Sequence, residues 1–174
     1  MKGAKLRKPA RRKTSPVRLQ YGALPYRFAQ SGALEILLIT TRRSKRWIIP
    51  KGDPIKGLRP AKSAAREAFE EAGVRGAVAE RSLGIFRFQK TLEGAPNILC
   101  EVKVFALNVK TQVGHWPEAA QREWRWFEPN DALAAVNDAE LHFLIGRFAK
   151  KMSPKPAVSP KALILAELGS DRAG

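Results

Sequence analysis

The segment from Gly52 to Val74 constrains the fold of this chain most, because it predicts a helix with two chemically different faces. Pro60 is favoured at the first position of a helix, and Gly73 is favoured just beyond the last one. At about 100° of rotation per residue, one face of this helix is small and apolar. It carries Ala61, Ala64, Ala65, Ala68, Phe69 and Ala72. Such a face predicts a helix that lies close against a β-sheet.

The opposite face of the helix concentrates negative charge. Glu67, Glu70 and Glu71 fall within an arc roughly 100° wide, although the chain has only 16 acidic residues against 32 basic ones. Neighbouring carboxylates repel each other by a few tenths of a kcal/mol per pair. A solvated charged face is one interpretation. The other is a site for a hard cation such as Mg²⁺, which removes the repulsion and prefers oxygen ligands.

The residues around the carboxylates favour the cation site. Gly52 is followed by Arg66-Glu67-Ala68-x-Glu70-Glu71-x-Gly73-Val74. This spacing resembles the signature of the Nudix hydrolases, in which a glycine, five residues, a glutamate and seven residues precede Arg-Glu-aliphatic-x-Glu-Glu-x-Gly-aliphatic. Leu58 departs from it, since the family has its first glutamate there. The stretch from Trp47 to Gly52 and the late Arg125-Trp126-Phe127 are most similar to the diadenosine and diphosphoinositol polyphosphate phosphohydrolases.

The order of predicted elements agrees with the fold that this resemblance implies, a mixed β-sheet between helices with a loop-helix-loop catalytic segment. It is an α+β fold, built as an α/β sandwich. Strands are predicted over Val17–Phe28, Leu34–Thr41, Trp47–Ile49, Val78–Phe88, Ile98–Val109 and Arg122–Phe127, with a loop over Glu93–Asn97. Helices are predicted from Pro60 to Gly73, from Asn130 to Val136 and from Ala139 to Lys151.

The resemblance also implies an activity, the Mg²⁺-dependent hydrolysis of a phosphoanhydride bond in a nucleoside- or inositol-linked polyphosphate, with Mn²⁺ as a second metal that could serve. Neighbouring carboxylates share protons around a metal, so the division of roles among the glutamates stays open. The implied metal ligands are Glu67, Glu71 and a backbone carbonyl near Lys51 or Gly52; the implied catalytic residues are Glu70 as general base and Arg66, which orients a glutamate.

Basic residues near the signature are candidate contacts for the substrate, because guanidinium groups suit multiply charged phosphates. Each of these charges alone is better explained as a solvated surface charge. The candidates are the basic residues Arg18, Arg42, Arg43, Lys51 and Arg122, together with Thr41, which precedes Arg42. Phe86, Phe88 and Trp116 are candidates to stack on a nucleobase.

Leu58 leaves a second function open. A leucine can neither bind a cation nor accept a hydrogen bond, so the chain could be a weak or inactive Nudix domain that binds nucleic acid or another polyanion. The net charge of +16 favours such binding. A related hypothesis joins both functions, with capped RNA held by basic residues while its 5′ polyphosphate is hydrolysed.

Composition sets the domain organisation. Residues 1–16 are predicted to form a basic disordered arm, residues 17–151 the Nudix domain, and residues 152–174 a tail with a short apolar run that could be helical. The single cysteine, Cys100, is predicted to be buried and fits a reducing compartment. The sequence has neither an apolar run long enough for a membrane span nor the pattern of a signal peptide, so we expect a cytoplasmic protein without membrane partners.

Overall fold

A computed structural model describes residues 17–92 and 94–153, so the predicted basic arm and nearly all of the predicted tail lie outside the described residues. Three helices and eight strands follow one another along this part of the chain. In order, they are β1 (Val17–Phe28), β2 (Leu34–Thr40), β3 (Trp47–Ile48), β4 (Lys51–Gly52), α1 (Pro60–Ala72), β5 (Val74–Val78), β6 (Gly84–Leu92), β7 (Ala95–Gln112), β8 (Trp124–Phe127), α2 (Pro129–Ala135) and α3 (Ala139–Met152).

The strands form one mixed sheet around β1 and β7. These two strands run parallel, in a register that aligns Val17 with Leu99 and Tyr26 with Asn108. β2 and β4 pair antiparallel with β1, and β3 and β8 pair antiparallel with β2. β5 and β6 both pair antiparallel with the long strand β7. The short strand β4 therefore lies directly beside β1, where it leads the chain towards α1.

The sheet lies between helices, because successive residues of each strand face opposite sides. Ala23, Leu37 and Phe105 pack with the alanine face of α1. Leu24, Leu38 and Val104 pack on the other side with residues of α2 and α3. The α+β fold class and the arrangement of a mixed sheet between helices, both predicted from the sequence, are confirmed.

The main difference from the predicted elements lies after α1. The single strand predicted over Val78–Phe88 is two strands, β5 and β6, separated by the polar turn around Glu80. Gly84 begins β6 with a φ of 152°, and a side chain there would meet Leu144 of α3. The predicted loop over Glu93–Asn97 is also shorter than expected, since β7 already begins at Ala95.

Two predictions from composition can be compared with the fold. Cys100 is buried in β7, as expected of a packing residue. None of the helices described between residues 17 and 153 has the length and apolarity needed to span a lipid bilayer.

Candidate active site

Helix α1 is held in place at both ends and along its alanine face. Pro60 occupies its first turn, and Gly73 ends it in the left-handed conformation, with φ of 68°. The backbone N–H of Gly73 donates to the carbonyl oxygens of Ala68 and Phe69. The buried alanines let the helix approach the sheet closely, so its glutamates stand beside the end of β4.

Glu67 lies directly against the backbone of Gly52. A β-carbon built at Gly52 would overlap the carboxylate of Glu67, so only glycine fits at this position while Glu67 keeps its place. Strand β4 fixes Gly52 itself, which pairs with Tyr21 of β1. The glycine that opens the sequence signature is therefore required by a close approach of side chain to backbone.

The carboxylate of Glu67 is half-buried and has like charges around it. Burial is the main cause that raises its pKa to about 7, and the neighbouring carboxylates of Glu71, Glu70, Glu118 and Asp53 raise it further. None of the hydrogen bonds or ion pairs within the described residues involves Glu67. This carboxylate is thus a strong candidate ligand for a cation, which would relieve both costs.

Glu71 is the most buried of the three glutamates, with 6% of the residue exposed. Its Oε2 accepts a hydrogen bond of 2.8 Å from the backbone N–H of Lys51, and its Oε1 accepts one from the guanidinium of Arg122. Burial raises the pKa of Glu71, while Arg122 and Lys51 act in the opposite direction. The contact with Lys51 brings this carboxylate to the same strand, β4, that Glu67 touches.

Glu70 has its own arginine. Arg66, one turn earlier on α1, donates from Nε to Oε1 of Glu70 at 2.5 Å. Leu58, which stands in place of the family glutamate, lies 44% exposed in the loop before α1, and its N–H donates to the carbonyl oxygen of Ile55. The loop therefore brings an apolar side chain to the surface where the family pattern has a carboxylate.

Arg122 joins α1 to the segment before β8. Its Nε donates to Glu118 at 2.8 Å, one Nη donates to the carbonyl oxygen of Thr40 at 3.1 Å, and the other binds Glu71. The backbone N–H of Glu118 donates to the carbonyl oxygen of Glu70 at 3.0 Å. Sequence reasoning missed Glu118, although its spacing of four residues from Arg122 was a signal for an ion pair.

The other predicted substrate contacts lie at two places around the glutamates. Arg18 forms a bidentate ion pair with Asp53, the residue after Gly52. The hydrogen bond from Arg18 lowers the pKa of the Asp53 carboxyl below its ordinary value. Arg42 and Arg43 lie exposed in the turn after β2, where Arg42 pairs with Glu118.

Thr41 and Lys51 make contacts within the protein. The hydroxyl of Thr41 shares a hydrogen bond of 2.8 Å with Ser44 and accepts one from the N–H of Arg46, so it organises the turn after β2. The ammonium of Lys51 lies 4.7 Å from the ring centre of Phe88. Burial lowers the pKa of Lys51.

The aromatic candidates separate clearly in the structure. Phe86 is fully buried among residues of the sheet and α3, so its predicted stacking on a base is wrong. Trp116 packs against Gly73, where a β-carbon would come within 2.6 Å of the indole. Phe88 is half-buried below Lys51 and is the one of the three that lies beside a predicted substrate contact.

The donor set suits a hard cation, although Glu70 and Glu71 have other partners in this structure. Within the described residues, no three His, Cys, Asp or Glu side chains are grouped as a metal site as they stand. Arg66 engages Glu70 and Arg122 engages Glu71. The fit rests on Glu67, a carboxylate against the backbone of Gly52 with no partner among the described residues, and on the neighbouring Glu71, whose Oε2 accepts from the N–H of Lys51.

Comparison with known proteins decides the family. A model of the NUDIX domain matches residues 19–145. The chain belongs to the Nudix family. Nudix hydrolase 13, mitochondrial, of Arabidopsis thaliana is 26% identical over 169 residues, which cover 88% of this chain and 84% of that protein. Diphosphoinositol polyphosphate phosphohydrolase 2 of Rattus norvegicus is 33% identical over 105 residues, or 59% of this chain and 54% of that protein.

Solved structures agree on the fold. The Ap4A hydrolase of C. elegans superposes with a TM-score of 0.58 and 24% identity, covering 79% of this chain and the whole of that one. Family membership makes the chain a hydrolase and supports pyrophosphohydrolase activity in general. Nudix hydrolases generally use a divalent metal, in agreement with the carboxylates gathered on α1.

Proposed function

We propose that this Nudix hydrolase cleaves a phosphoanhydride bond in a nucleoside- or inositol-linked polyphosphate and requires Mg²⁺, with Mn²⁺ as an alternative. The observation that carries the proposal is the position of Glu67, a half-buried carboxylate against Gly52 whose pKa is raised to about 7 and which has no partner among the described residues. Bound Mg²⁺ neutralises charge on phosphoryl oxygens and lowers the pKa of water.

Each residue of the cluster has a role in this proposal. Glu67, Glu71 and the backbone of Gly52 hold the metal. Glu70 accepts the proton of the water whose oxygen attacks phosphorus, while the bond from phosphorus to the bridging oxygen breaks and the second phosphate leaves. Arg66 keeps Glu70 turned to one side through the hydrogen bond between Nε and Oε1. A carboxylate that is both partly exposed and fixed in direction is suited to receive a proton.

The basic residues around the cluster supply binding for the rest of the substrate. Arg18 lies on one side, beside Asp53, and Lys51 lies next to Gly52. Thr41, Arg42 and Arg43 form the turn after β2 on the other side, and Arg42 reaches Glu118. The rat and C. elegans relatives are named for polyphosphate substrates, and these are the classes that such a surface suits.

A panel of substrates tests this proposal. Diadenosine tetraphosphate, a diphosphoinositol polyphosphate, ADP-ribose and capped RNA are incubated with the full chain in Mg²⁺ or in EDTA, and the products are quantified. We expect turnover of at least one substrate in Mg²⁺ and none in EDTA. In the variants Glu70→Gln and Glu71→Gln, kcat/KM should fall by at least about a hundredfold. Glu80→Gln, on an exposed carboxylate whose ion pair is with Arg59 and not with the glutamate cluster, is the matched control. Turnover that both site variants retain would refute the proposed site.

A second candidate function rests on the charge of +16. In this proposal the Nudix scaffold binds RNA or DNA through phosphate contacts, and residues 1–16 contribute much of the affinity. Deleting residues 1–16 should then weaken retention of RNA strongly, and the affinity of the full chain should fall steeply with salt. Binding that survives the deletion, or that salt leaves unchanged, contradicts this candidate.

The cytoplasm is the proposed location of the protein. The support is the single cysteine, Cys100, which fits a reducing compartment. The name of the Arabidopsis relative places that protein in mitochondria. Imaging of the full chain with a fluorescent tag at its C-terminus separates the two locations, and a mitochondrial signal would contradict the proposal.

A further inference from the structure

Arg122 is an unusual arginine among the basic residues of the site, because its charge faces inward. Its side chain is only 10% exposed, and three protein oxygens take up its guanidinium, those of Glu118, Thr40 and Glu71. Arg18 and Arg42 also form ion pairs, but their side chains are 40% and 55% exposed. Arg122 therefore has few donors left for a phosphate, whereas the two exposed arginines can exchange partners with solvent or substrate.

The partner of Arg122 explains why a buried guanidinium is needed. The side chain of Glu71 is 7% exposed and stands beside the carboxylates of Glu67 and Glu118. A buried carboxylate without a counter-charge costs several kcal/mol. In this structure, the positive charge that offsets Glu71 comes from Arg122 and from the adjoining Lys51.

Glu118 anchors Arg122 independently of Glu71. The backbone N–H of Glu118 is bonded to the last turn of α1, and its side chain holds both Arg122 and Arg42. The carbonyl oxygen of Thr40 fixes a further nitrogen of Arg122. Arg122 consequently keeps two of its three partners when Glu71 turns to another cation.

We propose that Arg122 is a positioning residue that stands in for the metal: it neutralises and orients Glu71 while the cation is absent. The inference rests on the proposed cation site and assigns Arg122 a role that acts through Glu71, instead of the direct substrate contact predicted from the sequence. Its consequence is an energetic coupling. The loss of Arg122 must cost the metal-free protein more than the metal-bound protein, because bound metal supplies the missing charge.

Thermal unfolding of Arg122→Met, in EDTA and in saturating Mg²⁺, tests this coupling. In EDTA we expect the Tm to fall by about 6 to 20 °C, since breaking a buried ion pair leaves Glu71 uncompensated. Mg²⁺ should restore at least half of that loss, so that the rise in Tm on adding Mg²⁺ is larger in the variant than in the wild type. Arg122→Lys keeps the positive charge but loses the planar guanidinium. Its Tm in EDTA should therefore lie between those of the wild type and Arg122→Met.

Two further variants separate the pair from its surroundings. Arg42→Met removes the other guanidinium bound to Glu118. We expect its Tm in EDTA to stay within about 2 °C of the wild type, because Arg42 is 55% exposed and Glu118 keeps its contact with Arg122. In a Glu71→Gln background, Arg122→Met should lower the Tm by less than half as much as it does alone, because the charge that it compensates is gone.

The outcomes are distinct. Equal losses of Tm in EDTA and in Mg²⁺ would show a merely structural residue and overturn the inference. An unchanged Tm in EDTA with a raised KM would restore the direct substrate contact. A third outcome is that Mg²⁺ shifts the Tm of no variant, although Arg122→Met still lowers the Tm less in the Glu71→Gln background. The proposed cation site would then be refuted, and only the ion pair between Arg122 and Glu71 would be supported.

Discussion

The two faces of the sheet are packed with side chains of different size. Towards α1 the helix contributes only alanines to the layer, namely Ala61, Ala64, Ala68 and Ala72. On the other face of the sheet, α3 contributes Leu141, Leu144, Ile145, Phe148 and Ala149. The second layer buries more apolar surface per residue and therefore contributes more to stability. The first keeps the backbone of α1 close to the sheet.

This difference assigns separate tasks to the two layers. Because α1 lies close to the strands, a carboxylate on its free side reaches the backbone of β4, as Glu67 does at Gly52. A layer of larger side chains would hold the helix too far away for that contact. We call the layer between α1 and the sheet the thin layer, and the layer between α3 and the sheet the thick layer. The thin layer thus positions the candidate active site. The thick layer contributes stability that offsets the cost of a cluster of partly buried charges.

Among apolar residues, the largest effect on stability should come from the thick layer. Ile145 is fully buried, so Ile145→Ala leaves a cavity between α3 and the sheet. We expect the free energy of unfolding to fall by about 2 to 5 kcal/mol. Urea denaturation measures this loss, and kcat/KM of the folded protein should stay within about twofold of the wild type. A specific loss of activity in the folded fraction would contradict the separation of the two layers.

In the thin layer, activity should respond more than stability. Gly52→Ala places a methyl group where the carboxylate of Glu67 lies, and that side chain must move away from β4. A displacement of about 1 Å at a reacting site costs on the order of a hundredfold, so we expect kcat/KM to fall by about that factor. Steady-state kinetics on the substrate identified by the panel gives the ratio.

Gly114→Ala is the control for this variant, because a β-carbon at Gly114 meets nothing within 4 Å. Its kinetics and stability should match those of the wild type. A Gly52→Ala protein with normal kcat/KM would show that the contact between Gly52 and Glu67 has no part in catalysis.

The sequence was most informative where local chemistry determines the structure. Pro60 and Gly73 predicted both ends of α1 correctly, because a missing N–H suits the first turn and a left-handed residue suits the end. The alanine face of α1 followed from the helical period alone, whereas Phe69, predicted on the same face, lies outside the layer packed on the sheet and stacks with Arg75. The strand predicted over Val78–Phe88 was wrong because the turn around Glu80 carries no glycine or proline before Gly84, so it has the composition of a continuous segment.

Contacts between distant segments could not be predicted in the same way. Arg122 and Glu71 are 51 residues apart, and only the fold brings them together. The contact of Glu118 with the carbonyl oxygen of Glu70 uses a backbone group, which no residue type identifies. The sequence therefore predicted candidate metal ligands, which stay a prediction, but not the ion pair with Arg122 that orients Glu71 in the structure.

The smallest effect should be a pH dependence that belongs to the thin layer. Glu67 has a pKa of about 7 in the folded protein, against an ordinary value of 4.5, so the folded state retains its proton at pH values where the unfolded state has lost it. In EDTA, the free energy of unfolding should then decrease as the pH rises from about 5 to 8.

Because Glu67 is half-buried and screened by solvent, we expect this decrease to be only about 1 kcal/mol. Urea denaturation across this pH range measures it, and Glu67→Gln should flatten the profile, whereas Glu80→Gln, on an exposed carboxylate, should leave it unchanged. A profile that Glu67→Gln does not alter would mean that the burial of this carboxylate has no energetic cost. The close approach of α1 to β4 would then be free of the electrostatic penalty that the thick layer is expected to offset.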